Sequence, residues 1–319
     1  MGKLALILLA AVVPALAELP EFYRHVDRVL WVVDDIDRTT AGWQKVGMIE
    51  SRANRSESGD NLRWSVARLG NVIVDLIQPF DEESPFGAFR KRHGQGVFAL
   101  VHRVPAEAAL DREIARLQAL GVSVISDRPV DGGPARLVFF DTEAKGKYVL
   151  GLVYAPPGDY AGSLAAPAAK PNTKQVSQYA FVVRDMPAVS RYWAHLGLPE
   201  LSFTHPKLWD LRYHGKPGDF DANLGWQKHG TVQYEWIQPT KGPTTYLDHM
   251  AKYGEGIHHI AFAVSDIERE AGDWSKAGFP TSQSGAWGDR DQPGYGRFAY
   301  QDTHAIGGTE VELLWNYRK

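Results

Sequence analysis

Two short runs in the second half of the chain alternate cleanly. His259 shares a strand face with Ala261 and Ala263, while Ile260, Phe262 and Val264 point the other way. Gln178 shares its face with Ala180, opposite Tyr179, Phe181 and Val183. One face is therefore small and open, and the other is bulky and suited to packing under a helix. The same kind of run recurs four times, predicting strands at 28–33, 97–101, 178–183 and 259–264. Three of the four continue alike, with Asp, seven residues, Trp, three residues and Gly: Asp35/Trp43/Gly47, Asp185/Trp193/Gly197 and Asp266/Trp274/Gly278. Asp suits a helix N-cap, Trp the buried face two turns later, and Gly the C-terminal stop. The second run instead leads into a longer helix around 106–120, closed by Gly121. Later strands end each quarter at 72–77, 148–154, 232–237 and 310–315. The predicted unit is β-α-β-β-β, four times over, in an α+β fold.

The quarters group into halves. VDLIQP at 74–79 matches YEWIQP at 234–239, and GQG at 94–96 matches GEG at 254–256, both at an offset of 160. One offset across two words in the same order indicates an internal duplication. Residues 155–174, rich in Pro and Ala, read as the linker between an N-terminal domain at 18–154 and a C-terminal domain at 175–319. Residues 1–17 carry Lys3, an apolar run from Leu4 to Val13 and Ala15-Leu16-Ala17. That is the pattern of a bacterial signal peptide cleaved after Ala17, and it predicts a periplasmic or secreted protein with no membrane attachment after cleavage.

With HHIAFAVSDIE at 258–268 and YQDTHAIGGTEVELL at 300–314, the four modules resemble the vicinal-oxygen-chelate superfamily of glyoxalase, bleomycin-resistance and extradiol-dioxygenase proteins. The resemblance covers nearly all of residues 24–317 and is strongest in the last quarter. It implies that modules pair into two domains, each curling its sheet around a cup, with metal ligands on the first and last strands. At those positions the second half offers Gln178, Glu235, His259 and Glu312, and the first half Arg28, Asp75, Ala99 and Gly151. Ala99 and Gly151 lack donor atoms and Arg28 repels a cation. The N-terminal cup thus reads as degenerate and metal-free, with Arg28 and Asp75 forming a salt bridge, and the C-terminal cup as the metal site.

Three oxygen donors and one imidazole suit Zn²⁺, Ni²⁺, Co²⁺ or Mn²⁺. The order Gln, Glu, His, Glu is similar to that of glyoxalase I, whereas iron-dependent ring-cleaving dioxygenases need two His and one carboxylate. The resemblance implies lyase or isomerase chemistry on a small oxygenated substrate, with Glu235 or Glu312 as the base. The alternatives are a metal-free small-molecule binding protein of the same fold and an iron dioxygenase. Arg290 and Arg297, in the charge-rich GDRDQPGYGR at 288–297, are candidates for meeting an anionic substrate, in a segment otherwise read as a solvated loop. Strand alternation puts His258 on the packing face as a structural residue. His249 is expected at the surface of a helix after the YEWIQP strand, and Glu310 one strand step from Glu312.

Composition narrows the field. The formal net charge of -3, from 35 basic and 38 acidic residues, gives no electrostatic footprint for nucleic acid. Cys is absent, which excludes disulfides, thiolate metal sites and a Cys nucleophile. Both cups close within one chain, so a monomer is as compatible as a homodimer.

Overall fold

The computed structural model describes residues 19–49, 52–55, 61–70, 72–130, 133–156, 174–230 and 232–317. The expected signal segment 1–17 lies outside these residues, as does most of the expected linker. No helix among the described residues is long and apolar enough to cross a membrane.

The first half runs β1 (Arg28–Val32), α1 (Ile36–Lys45), β2 (Arg52–Arg55), β3 (Leu62–Leu69), β4 (Val72–Pro79), α2 (Pro85–His93), β5 (Gly96–Arg103), α3 (Glu107–Ala119), β6 (Val124–Pro129), β7 (Arg136–Phe140), α4 (Glu143–Gly146) and β8 (Val149–Tyr154). The second runs β9 (Val176–Val182), α5 (Met186–His195), β10 (Ser202–Thr204), β11 (Leu208–Tyr213), β12 (Lys216–Pro217), β13 (Asp221–His229), β14 (Val232–Lys241), α6 (Thr245–Tyr253), β15 (Gly256–Ala263), α7 (Ile267–Lys276), β16 (Thr281–Trp287), β17 (Gly296–Asp302), α8 (His304–Gly307) and β18 (Glu310–Asn316). Each quarter is built on a β-α-β-β-β unit, the third carrying β11 and β12 as an insertion, and each half joins two units through a central antiparallel pair, β1 with β5 and β9 with β15. The fold is α+β with two curled mixed sheets, in the orders β2-β3-β4-β1-β5-β8-β7-β6 and β10-β13-β14-β9-β15-β18-β17-β16-β11-β12.

The repeated Asp–Trp–Gly pattern works as its chemistry dictates. Asp35, Asp185 and Asp266 each accept backbone N–H bonds at the first turn of α1, α5 and α7. Trp43, Trp193 and Trp274 are buried on the inner helix faces. Gly47, Gly197 and Gly278 take the left-handed conformation, with φ of 65°, 87° and 100°.

The bulky strand faces and the helices form one core that crosses between the halves, holding Trp31, Trp43 and Phe140 together with Phe181, Trp193, Trp236 and Trp274. The ring of Tyr148 stacks on that of Trp193 at 4.7 Å, and Trp31 Nε1 donates to the Gly307 carbonyl at 2.6 Å. The opposite faces line two separate cups, each with a linking helix against it: Phe86 and Phe89 of α2 pack into the first, Tyr246 and Met250 of α6 into the second.

Candidate metal centre

Strand register places the two cups in correspondence. Val101 pairs with Gly151 as Ala261 pairs with Glu312, and Leu30 pairs with Asp75 as Ala180 pairs with Glu235. Leu30 also faces Ala99 as Ala180 faces His259. The first cup is filled. Leu30, Val32, Phe98, Val101 and Phe139 pack together at its centre. A Cβ on Gly151 would lie 2.6 Å from Val101 Cγ2, so the position matching Glu312 cannot hold even a methyl group. Arg28 Nη1 donates to Asp75 Oδ2 at 3.1 Å, and Trp64 Nε1 donates to Asp75 Oδ1 at 2.9 Å. Burial nevertheless pushes the Asp75 carboxyl up more than Arg28 and Trp64 pull it down.

The second cup gathers Gln178 from β9, Glu235 from β14, His259 from β15 and Glu312 from β18, all buried. One ligand atom from each of Glu235, His259 and Glu312 lies within 4.8 Å of the others. His259 Nε2 is 3.1 Å from Glu312 Oε2 and 3.6 Å from Glu235 Oε2. Gln178 Nε2 donates to Glu235 Oε2 at 2.7 Å and to Glu312 Oε2 at 3.1 Å. Turning that amide over exchanges its donor for an acceptor oxygen at the same point, giving one imidazole and three oxygen ligands. Burial, and then the charge of Glu312, push Glu235 up against hydrogen bonds from His259 and Gln178. Burial pulls the His259 imidazolium down, but Glu312 and Glu235 overcome it and raise the group to about 9. Two buried carboxylates converging on one imidazole, all three with an atom at a common point, form a donor set that fits a divalent cation.

His258 does not obey the alternation. The register between β15 and β9 shifts between Ile257 and His259, a bulge that leaves Ile257 and Ile260 in the shared core and turns both histidines away from it. His258 Nδ1 is 2.9 Å from His259 Nδ1. Burial first, then the neighbouring imidazoles, hold His258 well below the usual histidine range and so neutral, whereas His259, raised to about 9, carries a proton on both nitrogens; His259 Nδ1–H therefore donates and His258 Nδ1 accepts. His258 Nε2 then carries the proton and faces Glu310 Oε2 at 3.6 Å. Burial pushes Glu310 up to about 7. The expected packing-face position of His258 is thereby corrected, and so is the surface position of His249. That residue does lie on a helix, α6, but it is buried, with its ring centroid 5.2 Å from His258.

A cavity of about 340 Å³ opens from Gln178, Glu235 and Glu312. Its walls include Leu208, Trp226, Tyr246, Trp287, Phe298 and Tyr300. Two segments that follow each other in sequence sit far apart in the sheet order: β10 pairs with β13 and β11 with β16, so residues 205–207 cross between the two sides of the cup. Thr204, Pro206 and Leu208 of this crossing line the cavity. Nothing in the hydrophobic pattern announced the crossing. Tyr300 and Phe298, which share a face of β17, are a signal that alternation could have given.

Neither candidate arginine lines this cavity. Arg297 pairs with Glu268 of α7, because Phe298 and Tyr300 take the cup face of β17 and leave Arg297 the other. Arg290 lies over the Trp209 ring, 5.1 Å from its centroid, in an exposed turn covering 288–294.

The profile of the family described as the Glyoxalase/Bleomycin resistance protein/Dioxygenase superfamily matches residues 27–140 and 177–299. No curated protein matches the chain. Among solved structures, a variant of 4-hydroxymandelate synthase from Streptomyces coelicolor aligns over 92% of this chain and 93% of its own, at 18% identity and a TM-score of 0.64. A xylose isomerase-like TIM barrel/4-hydroxyphenylpyruvate dioxygenase fusion protein aligns over 92% of this chain and 49% of its own, at 16% identity and a TM-score of 0.55. Methylmalonyl-CoA epimerase from Mycobacterium tuberculosis aligns over 44% of this chain and 93% of its own, at 21% identity and a TM-score of 0.38. The first two likenesses are of fold.

Proposed function

Because the chain belongs to the glyoxalase/bleomycin-resistance/dioxygenase superfamily, we propose that it is an exported, metal-dependent lyase or isomerase that moves a proton on a small oxygenated substrate. The observation that carries this reading is the convergence of Glu235, His259 and Glu312, with Gln178 beside them, at the floor of an open cavity in one cup alone of the two matched cups. The export half of the reading rests on residues 1–17 of the sequence.

Gln178, Glu235, His259 and Glu312 would hold the ion, with zinc, nickel, cobalt or manganese preferred by three oxygens and one nitrogen. A divalent ion so held supplies positive charge that polarises a substrate oxygen and acidifies the adjacent C–H. Glu235 or Glu312 then takes the proton from the carbon beside that oxygen and returns it to a neighbouring atom. Gln178 and His259 remain as spectators. Tyr246 and Tyr300, with hydroxyls 2.6 Å apart, form part of the wall of the same cavity. A single imidazole disfavours the iron dioxygenase, which needs a second histidine where Gln178 stands.

The test is proton NMR in deuterium oxide on hydroxy ketones. Metal-loaded protein should exchange deuterium into the position beside the carbonyl. Glu235→Gln or Glu312→Gln should lower the rate by about 100-fold or more. Full exchange in both variants with metal retained would sink the mechanism.

A further inference from the structure

The chemistry of the cavity walls narrows the substrate, given the metal-site reading above. At the floor, the cavity is bounded by Gln178, Glu235 and Glu312. Beyond them the walls are mainly aromatic and aliphatic, with the uncharged polar side chains of Thr204, Gln233 and Asn316 among them. The Trp287 and Phe298 rings lie nearly parallel, 21° apart with centroids at 6.4 Å, and Phe298 leans on Tyr300 at 5.5 Å. Trp226, on β13, is held by its Nε1–H, which donates to Thr204 Oγ1 of the neighbouring β10 at 2.8 Å. Leu208, Leu224 and Leu314 fill the intervals.

Charge is the deciding feature. The described residues that line the cavity include no lysine and no arginine, and the only carboxylic acids among them are Glu235 and Glu312. The candidate arginines are engaged elsewhere, Arg290 on Trp209 and Arg297 on Glu268. A divalent ion would be balanced by the two carboxylates, leaving no excess positive charge for a second anion. A carboxylate or phosphate on the far end of a substrate would therefore enter a largely apolar wall whose polar groups, Thr204, Gln233 and Asn316, carry no positive charge, which is costly. A flat, uncharged ring loses little there and gains aromatic contact with Trp226, Trp287 and Phe298. The volume of about 340 Å³ is at the small end of ligand sites.

We infer that the cavity takes an uncharged, ring-bearing compound, its oxygens directed at Gln178, Glu235, His259 and Glu312 and its ring between Trp226 and Trp287. The test uses cobalt-loaded protein, titrated by calorimetry and followed in the cobalt visible spectrum. Three probes separate the features: α-hydroxyacetophenone, hydroxyacetone with the same oxygens and no ring, and para-carboxy-α-hydroxyacetophenone with an anion on the far side. The ring-bearing neutral probe should bind about tenfold or more tightly than either comparator. Trp287→Ala should remove the advantage over hydroxyacetone. Leu224→Arg should reverse the order of the two ring compounds. Equal binding of all three probes, or preference for the carboxylate by the unaltered protein, would overturn the inference while cobalt uptake leaves the metal site standing. Failure to take up cobalt or any other divalent ion, with ring preference intact, would overturn the metal reading and leave the ligand class.

Discussion

At the scale of single residues, His259 matters through its second nitrogen as well as its first. With Nε2 toward Glu312 and Glu235, its orientation is fixed by the bond from Nδ1–H to His258. Partners of this kind commonly contribute a factor of about 10–100 in metal affinity. His258→Phe is expected to weaken metal binding by about that factor, measured by competition with a chelator, with circular dichroism unchanged. Unaltered affinity would show that His258 merely packs. Away from the cup, burial lowers His102 from its ordinary 6.5 to about 4. Its Nδ1–H donates to the His25 carbonyl at 2.7 Å. The native state thus disfavours protonation, while the unfolded chain takes up a proton near 6.5. The stability from this group is full above pH 6.5 and is lost as pH falls through about 4, a change of ~3 kcal/mol. Urea melts between pH 7 and pH 4 should show this slope, and His102→Gln should flatten it.

At the scale of elements, the two cups differ by what their strands carry at matched registers. The Arg28–Asp75 pair is wholly buried. Arg28→Met alone should cost about 3–5 kcal/mol by stranding the Asp75 charge, and adding Asp75→Leu should recover most of it. Denaturation midpoints of the single and double variants check this, and an additive double variant would contradict it. Much of this level was legible in the sequence. The Asp–Trp–Gly spacing marks three helices and the 160-residue offset marks the duplication, because capping and burial act locally. The converging donors were legible through the resemblance to the superfamily, which implied ligand positions on the first and last strand of each module. The bulge at His258 was not, since a one-residue insertion in a ladder leaves the sequence pattern of a strand intact. Nor was the crossing of residues 205–207, which depends on two distant strand edges coming together. Arg297 was misplaced because a charge in a loop-like string gave no face until β17 fixed one.

At the scale of the molecule, the two halves share a core rather than merely touching. Gly42 of α1 approaches Ile306 of α8 so closely that an added Cβ would lie 2.7 Å from its Cδ1. Lys147 of the first half pairs with Glu255 of the second at 3.0 Å, and His93 Nδ1 meets the Tyr253 carbonyl at 2.6 Å. Such a core predicts one cooperative thermal transition, with calorimetric and van't Hoff enthalpies in agreement. Two separated transitions would show that the halves are independent.

The most direct test of the account is metal analysis by mass spectrometry on protein purified without a His tag or chelator, beside His259→Ala and Glu312→Ala. The account predicts about one divalent ion per chain, zinc, nickel, cobalt or manganese, lost in both variants. No ion in the unaltered protein after reconstitution, or an ion retained equally by both variants, would contradict it.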